Sequence, residues 1–117
     1  MSFVIIADTR EQQPYSFPCA TNRKALAAGD YSVEGLEDRL AVERKSLSDF
    51  VHTVIYDHER FGRELLLLST YDAACVVVEA DLDAVLRNQR KDDLRGAKPE
   101  TVLGAALYID RQYGVPV

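Results

Sequence analysis

The sequence predicts a single mixed α/β domain, one β-sheet flanked by α-helices. Three observations predict it. Two short apolar runs, Phe3–Ala7 and Ala74–Val78, read as buried strands, the first buried on both faces. Apolar residues recur at helical spacing over Leu47, Phe50, Val51 and Val54, and again over Val102, Ala106, Ile109 and Tyr113. Between these stretches, two extended segments flank Gly35, which suits a hairpin. Strand and helix signals therefore alternate along 117 residues, the size of one compact domain with enough chain to bury a core.

Each element has its own signal. Phe3–Ala7 is the first strand and ends at the polar Asp8-Thr9-Arg10-Glu11. Pro14 to Pro18 is a loop. Asn22 suits the cap of a short helix over Arg23 to Ala28, stopped by Gly29. Asp30–Val33 and Leu40–Lys45 pair as a hairpin across Glu34 to Arg39. Ser46 or Ser48 caps the next helix. Its stripe blurs near Tyr56-Asp57-His58 and resumes with Phe61, Leu65 and Leu68, which predicts two helical pieces with a break. After the strand Ala74–Val78, Asp81 caps a short helix through Leu86. Arg87 to Lys98 is polar and aperiodic. Pro99 opens a final helix, Gly114 stops it, and Val115–Val117 reads as the start of a further strand. Residues 1–117 carry no repeat, low-complexity tract or linker, so one domain is expected.

Composition narrows the class. With 47% hydrophobic and 28% charged residues the chain is a folded one. No apolar run approaches the ~18–20 residues that span a bilayer, so no membrane role is expected. Phe3–Ala7 meets Asp8 and Arg10 at once and lacks a basic leader, so no secretory signal is expected either. Cys19 and Cys75 have no metal-like spacing, and Cys75 reads as a buried reduced thiol. An intracellular setting follows, cytoplasmic if the source is prokaryotic or viral. The net charge of −5 argues mildly against a grip on nucleic acid by bulk charge. It leaves a nuclease open, because acids gathered around a divalent metal count as negative in that sum.

The constellation that carries chemistry is Gly29-Asp30-Tyr31 followed by Glu43-Arg44-Lys45. Residues two apart in a strand share a face, so Glu43 and Lys45 face one way and Arg44 the other. If the hairpin pairs, Asp30 approaches that shared face from the neighbouring strand. Two carboxylates beside an ammonium suit a hard cation such as Mg²⁺ and the hydrolysis of a phosphodiester. The plainer reading is an exposed same-face ion pair between Glu43 and Lys45, contributing ~0–1 kcal/mol.

Asp8-Thr9-Arg10-Glu11, Gly29-Asp30-Tyr31 and Glu43-Arg44-Lys45-Ser46-Leu47-Ser48-Asp49 resemble the signature of the XPF/Mus-type structure-specific endonuclease domain. The likeness continues through Arg60-Phe61, Glu64-Leu65, Val76–Glu79 and the final helix, in order along nearly the whole chain. The resemblance implies a restriction-endonuclease-like fold. It also implies Mg²⁺- or Mn²⁺-dependent cutting of DNA at branches, flaps or single-strand/double-strand junctions. Asp8, Asp30, Glu43 and Lys45 would be the catalytic set. Asp30, Glu43, the backbone carbonyl of Arg44 and Asp8 would surround the metal, and Lys45 would hold the attacking water. Arg10, Glu11 and Asp49 would support the site, Asp49 by bracing Arg44 or the helix start. The resemblance further implies a homodimer, or a heteromeric partner, through the last helix and Val115–Val117. No helix-hairpin-helix DNA-binding module is visible, so the grip on DNA is expected from self-association or a partner.

Lesser signals have competing readings. Arg87 to Lys98 holds five basic and two acidic residues, and Arg87, Arg90, Lys91 and Arg95 are candidate DNA contacts. Arg44 and Arg60 join them as candidates, though Arg60 equally suits helical pairing with acids. Asp81 and Asp83 suit a cap and a first turn better than a second metal cluster. His52 and His58 match no motif. Tyr15, Tyr31 and Tyr56 fit base stacking or core packing. Two other classes stay open: a catalytically silent scaffold of the same fold, and a resolvase or restriction-type enzyme built on it.

Overall fold

The computed structural model describes residues 2–117. Five strands form one mixed sheet: β1 (Ile5–Ala7), β2 (Thr21–Arg23), β3 (Tyr31–Val33), β4 (Leu40–Ser46) and β5 (Ala73–Glu79), in spatial order β2-β1-β3-β4-β5. The helices are α1 (Leu47–Tyr56), α2 (His58–Ser69), α3 (Leu82–Leu86) and α4 (Pro99–Tyr113), with a 3-10 turn at Lys91–Leu94. β1 runs parallel to β2 and antiparallel to β3, and β3 pairs antiparallel with β4. β4 and β5 are parallel over seven matched positions, from Leu40 opposite Ala73 to Ser46 opposite Glu79. A parallel pair needs a long crossover, and α1 and α2 supply it.

The core lies on the sheet face that carries Ala41 and Val76. Leu47, Phe50 and Val51 of α1, Phe61, Leu65 and Leu68 of α2, and Val102 and Ile109 of α4 close it. Phe50 and Phe61 meet edge-to-face with ring centres 6.4 Å apart. Ser46 caps α1 by accepting the Asp49 N–H at 3.1 Å, and Asp81 caps α3 through the Asp83 N–H at 3.0 Å. The helical break falls at Asp57, with φ −131° and ψ 32°. Pro99 stands in the first turn of α4, and Gly114 ends it at φ +67°.

Three expectations differ from the structure. The predicted helix over Arg23 to Ala28 is absent: Thr21–Arg23 is strand β2, and a loop follows. Pairing with β1 explains the change, since the Ile5 N–H donates to the Ala20 carbonyl and the Lys24 N–H to that of Ala7. Local helix propensity is weak beside a ladder and a buried anchor, here Leu26. Val115–Val117 form no strand. Val115 is buried and the Pro116 carbonyl accepts the Val76 N–H at 2.8 Å, but proline has no N–H with which to continue a ladder. β5 is not a fully buried strand either; it is the sheet edge, and Val77 is 40% exposed. Among the described residues no helix is long and apolar enough to cross a membrane.

Candidate active site

The end of β1, the start of β3 and the second half of β4 meet at one end of the sheet. The Asp8 N–H donates to the Asp30 carbonyl at 2.8 Å, and the Asp30 N–H donates to that of Val42 at 2.8 Å. Tyr31 lies opposite Val42, which sets Asp30 opposite Glu43 on the adjoining rung. The alternation of β4 then puts Glu43 and Lys45 on the same side as Ala41, toward the helices, and Arg44 on the other.

Gly29 makes this approach possible. It takes φ +77°, and a Cβ there would stand 3.1 Å from the Ala41 Cβ and 3.1 Å from the Val42 carbonyl oxygen. Only glycine fits so close to β4 in the left-handed region. Asp30 follows directly, and its Oδ2 accepts the Arg44 N–H at 2.7 Å. Burial pushes the Asp30 carboxyl above the usual range; the Arg44 N–H opposes this, and the neighbouring Asp8 charge adds to it.

Asp8 is 2% exposed and already satisfied. Its Oδ1 accepts the Leu26 N–H at 2.8 Å, and its Oδ2 accepts Arg10 Nε at 2.8 Å and Arg10 N at 3.3 Å. Burial works against the charge, but these donors outweigh it and hold the carboxyl below its usual range. Arg10 also reaches the Leu26 carbonyl at 3.1 Å. Asp8 and Arg10 thereby brace the loop that backs Asp30.

Glu43 is 7% exposed, and its carboxylate joins none of the site's hydrogen bonds or ion pairs among the described residues. Lys45 is half-buried, with its Nζ 5.1 Å from the centre of the Phe61 ring. Burial lowers its pKa; the charges of Asp49 and Asp30 resist, and Arg60 adds to the lowering. Asp49 therefore stands near Lys45 as well as at the start of α1. Glu64 of α2 also belongs to this neighbourhood. Burial raises its carboxyl, as does the Asp30 charge, while Arg10 opposes. From its place in the sequence Glu64 suits ordinary helical pairing with Arg60, four residues before it. A signal for burial was present too: it sits one turn beyond Phe61 and beside Leu65, on the buried stripe of α2.

Among the described residues no three His, Cys, Asp or Glu side chains are grouped to hold a metal by themselves. The donor set still fits a hard divalent cation, which is commonly held by one or two carboxylates with backbone oxygen and water. Glu43 supplies a carboxylate that makes no side-chain hydrogen bond or ion pair among the described residues, and Asp30 keeps one oxygen beyond the Arg44 bond.

Arg44, expected at DNA, is enclosed on the far face. Its side chain is 18% exposed and sits 3.1 Å from Glu79 and 3.5 Å from Glu11. Glu11 thus supports Arg44 rather than the near face. Of the other expected DNA contacts, Arg87 pairs with Asp83 at 3.0 Å and Arg90 with Asp93 at 2.9 Å. Arg60 is 80% exposed and reaches Asp57 at 3.8 Å. Arg95, at φ +53°, donates to Ser48 Oγ at 3.3 Å, which brings it to the start of α1. Lys91 is exposed in the same loop.

A family model for the ERCC4 domain matches residues 7–117. Among solved structures, the chain is similar to XPF from Aeropyrum pernix, at 23% identity and a TM-score of 0.68. That match covers 97% of this chain and 51% of the other. A second structure of XPF from Aeropyrum pernix, in complex with DNA, matches at 22% identity and a TM-score of 0.66, covering 97% of this chain and 54% of the other. The chain spans about half the length of these structures, and at such identities the likeness shows a shared fold. No curated protein matches the sequence.

Proposed function

The chain belongs to the ERCC4 domain family, and on that premise we propose that it is a divalent-metal-dependent DNA endonuclease acting at branched, flap or fork structures. The observation that carries the reading is the meeting of Asp30, Glu43 and Lys45 on one face at the end of the sheet. The structural relative in complex with DNA supports DNA as the ligand. Asp30, Glu43 and the backbone carbonyl of Arg44 would hold Mg²⁺ or Mn²⁺, which when bound stabilises negative charge developing on the phosphate. Lys45 holds the attacking water. Its half-buried ammonium, lowered in pKa, gives up a proton more readily than an exposed lysine. Asp8 and Arg10 keep the loop against Asp30, and Arg10, 73% exposed, would meet a phosphate. Lys91 and Arg95 lie free of carboxylate partners among the described residues and track the DNA backbone. A second copy of the chain, docking on β5, α3 and α4, completes the grip. The setting is intracellular.

The test is nicking of a labelled forked DNA in Mg²⁺, Mn²⁺ or EDTA, wild type beside Lys45→Ala. Metal-dependent cuts near the fork are expected, reduced at least about a hundredfold in the variant. Junction binding without cleavage in either metal would replace the enzyme reading with a silent scaffold.

A further inference from the structure

Arg44 stands between the two residues that face the site, yet its guanidinium lies in a cage on the opposite side of the sheet. Nε donates to Glu79 Oε2 at 3.1 Å, and Nη1 donates to the Gln13 carbonyl at 2.6 Å and to the Tyr31 hydroxyl at 3.4 Å. The guanidinium carbon sits 4.1 Å above the centre of the Tyr15 ring. Tyr15 stacks on Tyr31 at 5.5 Å, its hydroxyl donates to the same Glu79 oxygen at 2.7 Å, and its N–H donates to the Tyr31 hydroxyl at 2.8 Å. A planar fork with five donors is suited to such a cage, and a lysine would fill only part of it.

The cage grips β4 where its ladder is thinnest. Toward β5 the strand is paired through Ser46, but toward β3 the register holds a single matched position, Tyr31 with Val42. Beyond Val42, the β4 main chain is tied to that side by the Arg44 N–H donating to the Asp30 carboxylate. The direction in which Asp30 points therefore depends on where the Arg44 backbone stands. The same guanidinium joins β4 to the end of β5 through Glu79 and to the β1–β2 loop through Glu11, Gln13 and Tyr15.

We infer that Arg44 is a positioning residue: Glu79 and Tyr15 clamp its side chain on the far face so that Glu43, Lys45 and Asp30 keep their places on the near one. This rests on the reading of the near face as the active site. A DNA contact is the competing role, and a guanidinium 18% exposed between two carboxylates is poorly placed for it.

Two readings of the full chain test the inference: metal-free hydrogen exchange of the Arg44 amide, and steady-state cleavage of forked DNA in Mg²⁺. Glu79→Gln is expected to speed that exchange about tenfold and to lower kcat about ten- to hundredfold, with KM within about twofold. Tyr15→Phe keeps the ring over the guanidinium but loses the bond to Glu79, so the same changes are expected at smaller size. Arg44→Lys should resemble Glu79→Gln; if it fails to fold, the two milder variants still decide. A raised KM with unchanged kcat and a shallower salt dependence would overturn the inference in favour of a DNA contact. Unchanged exchange and unchanged kcat would overturn it in favour of a plain stabilising cage. Wild-type protein that cuts no DNA would overturn the nuclease reading instead, while the exchange measurement would still judge the clamp.

Discussion

At the scale of single residues, Asp30 combines two opposing demands. Its backbone and one carboxylate oxygen hold β3 to β4, while burial and the Asp8 charge penalise its ionised form. A carboxyl whose folded pKa is raised stabilises the protein below its ordinary value of 3.8, and that stability is lost as pH rises through the folded value. Glu64, raised from 4.5, has the same sign. These two carboxyls should therefore subtract stability from the metal-free protein as pH climbs above their ordinary values, and Mg²⁺ or Mn²⁺ should offset that loss at neutral pH. Asp30→Asn should flatten this pH dependence and raise the metal-free melting midpoint at pH 7, while lowering cleavage at least about a hundredfold. Thermal melts across pH beside the nicking assay check both, and a collapsed midpoint would make Asp30 a structural residue. The acid and lysine positions were legible because strand alternation alone assigns faces to residues 43, 44 and 45. The roles of Asp8 and Arg44 were not. No spacing rule shows that Leu26 donates to Asp8, or that Tyr15, Glu11 and Glu79, distant in sequence, close around one guanidinium.

At the scale of elements, legibility followed the kind of signal. Ser46, Asp81, Pro99 and Gly114 mark helix ends through chemistry local to the residue, and the structure has helix ends at each. The helix expected after Asn22 had only local support, and pairing with β1 outweighed it. The burial of β5 was overestimated because an apolar run reports hydrophobicity, not the number of neighbouring strands. Gly29 shows the same contrast: as a helix stop it was a local reading, but its real constraint is the approach to β4. Gly29→Ala should cost about 1–3 kcal/mol from left-handed strain and crowding against Val42. Gly35→Ala is the control, since its φ is +89° but no atom lies within 4 Å of the added Cβ. It should cost about 1 kcal/mol and leave cleavage intact, whereas Gly29→Ala should also impair cleavage by shifting Asp30. Chemical denaturation of both variants separates strain from crowding; equal losses would mean that crowding contributes nothing.

At the scale of the whole molecule, the chain is longer in one direction, 41 Å against 27 and 24 Å, with a radius of gyration of 14.8 Å. A compact chain of this length would have about 13 Å. The apolar surface is uneven too. Leu82, Leu86, Leu107 and Val117 are 59, 46, 60 and 41% exposed, and with Val77 on the edge strand they fall around β5, α3 and α4. A groove of about 480 Å³ runs between these elements, lined in part by Val77, Leu82, Leu103, Ala106 and Leu107. Scattered exposed leucines need no explanation, but a contiguous apolar groove beside a sheet edge is the kind of surface a second chain can cover. The proposed cover is a second copy, which would also bring a second basic loop, Arg87 to Lys98, to the assembly. Sedimentation equilibrium at micromolar concentration should show a dimer for the wild type. Leu107→Glu places a charge at a position too exposed to disturb the core, so it should leave the circular dichroism spectrum unchanged and give a monomer. That monomer should bind forked DNA more weakly and with a shallower salt dependence, because fewer phosphates are neutralised. A wild type that stays monomeric at tens of micromolar would remove the second copy from the proposal and leave a partner of another sequence to fill the groove.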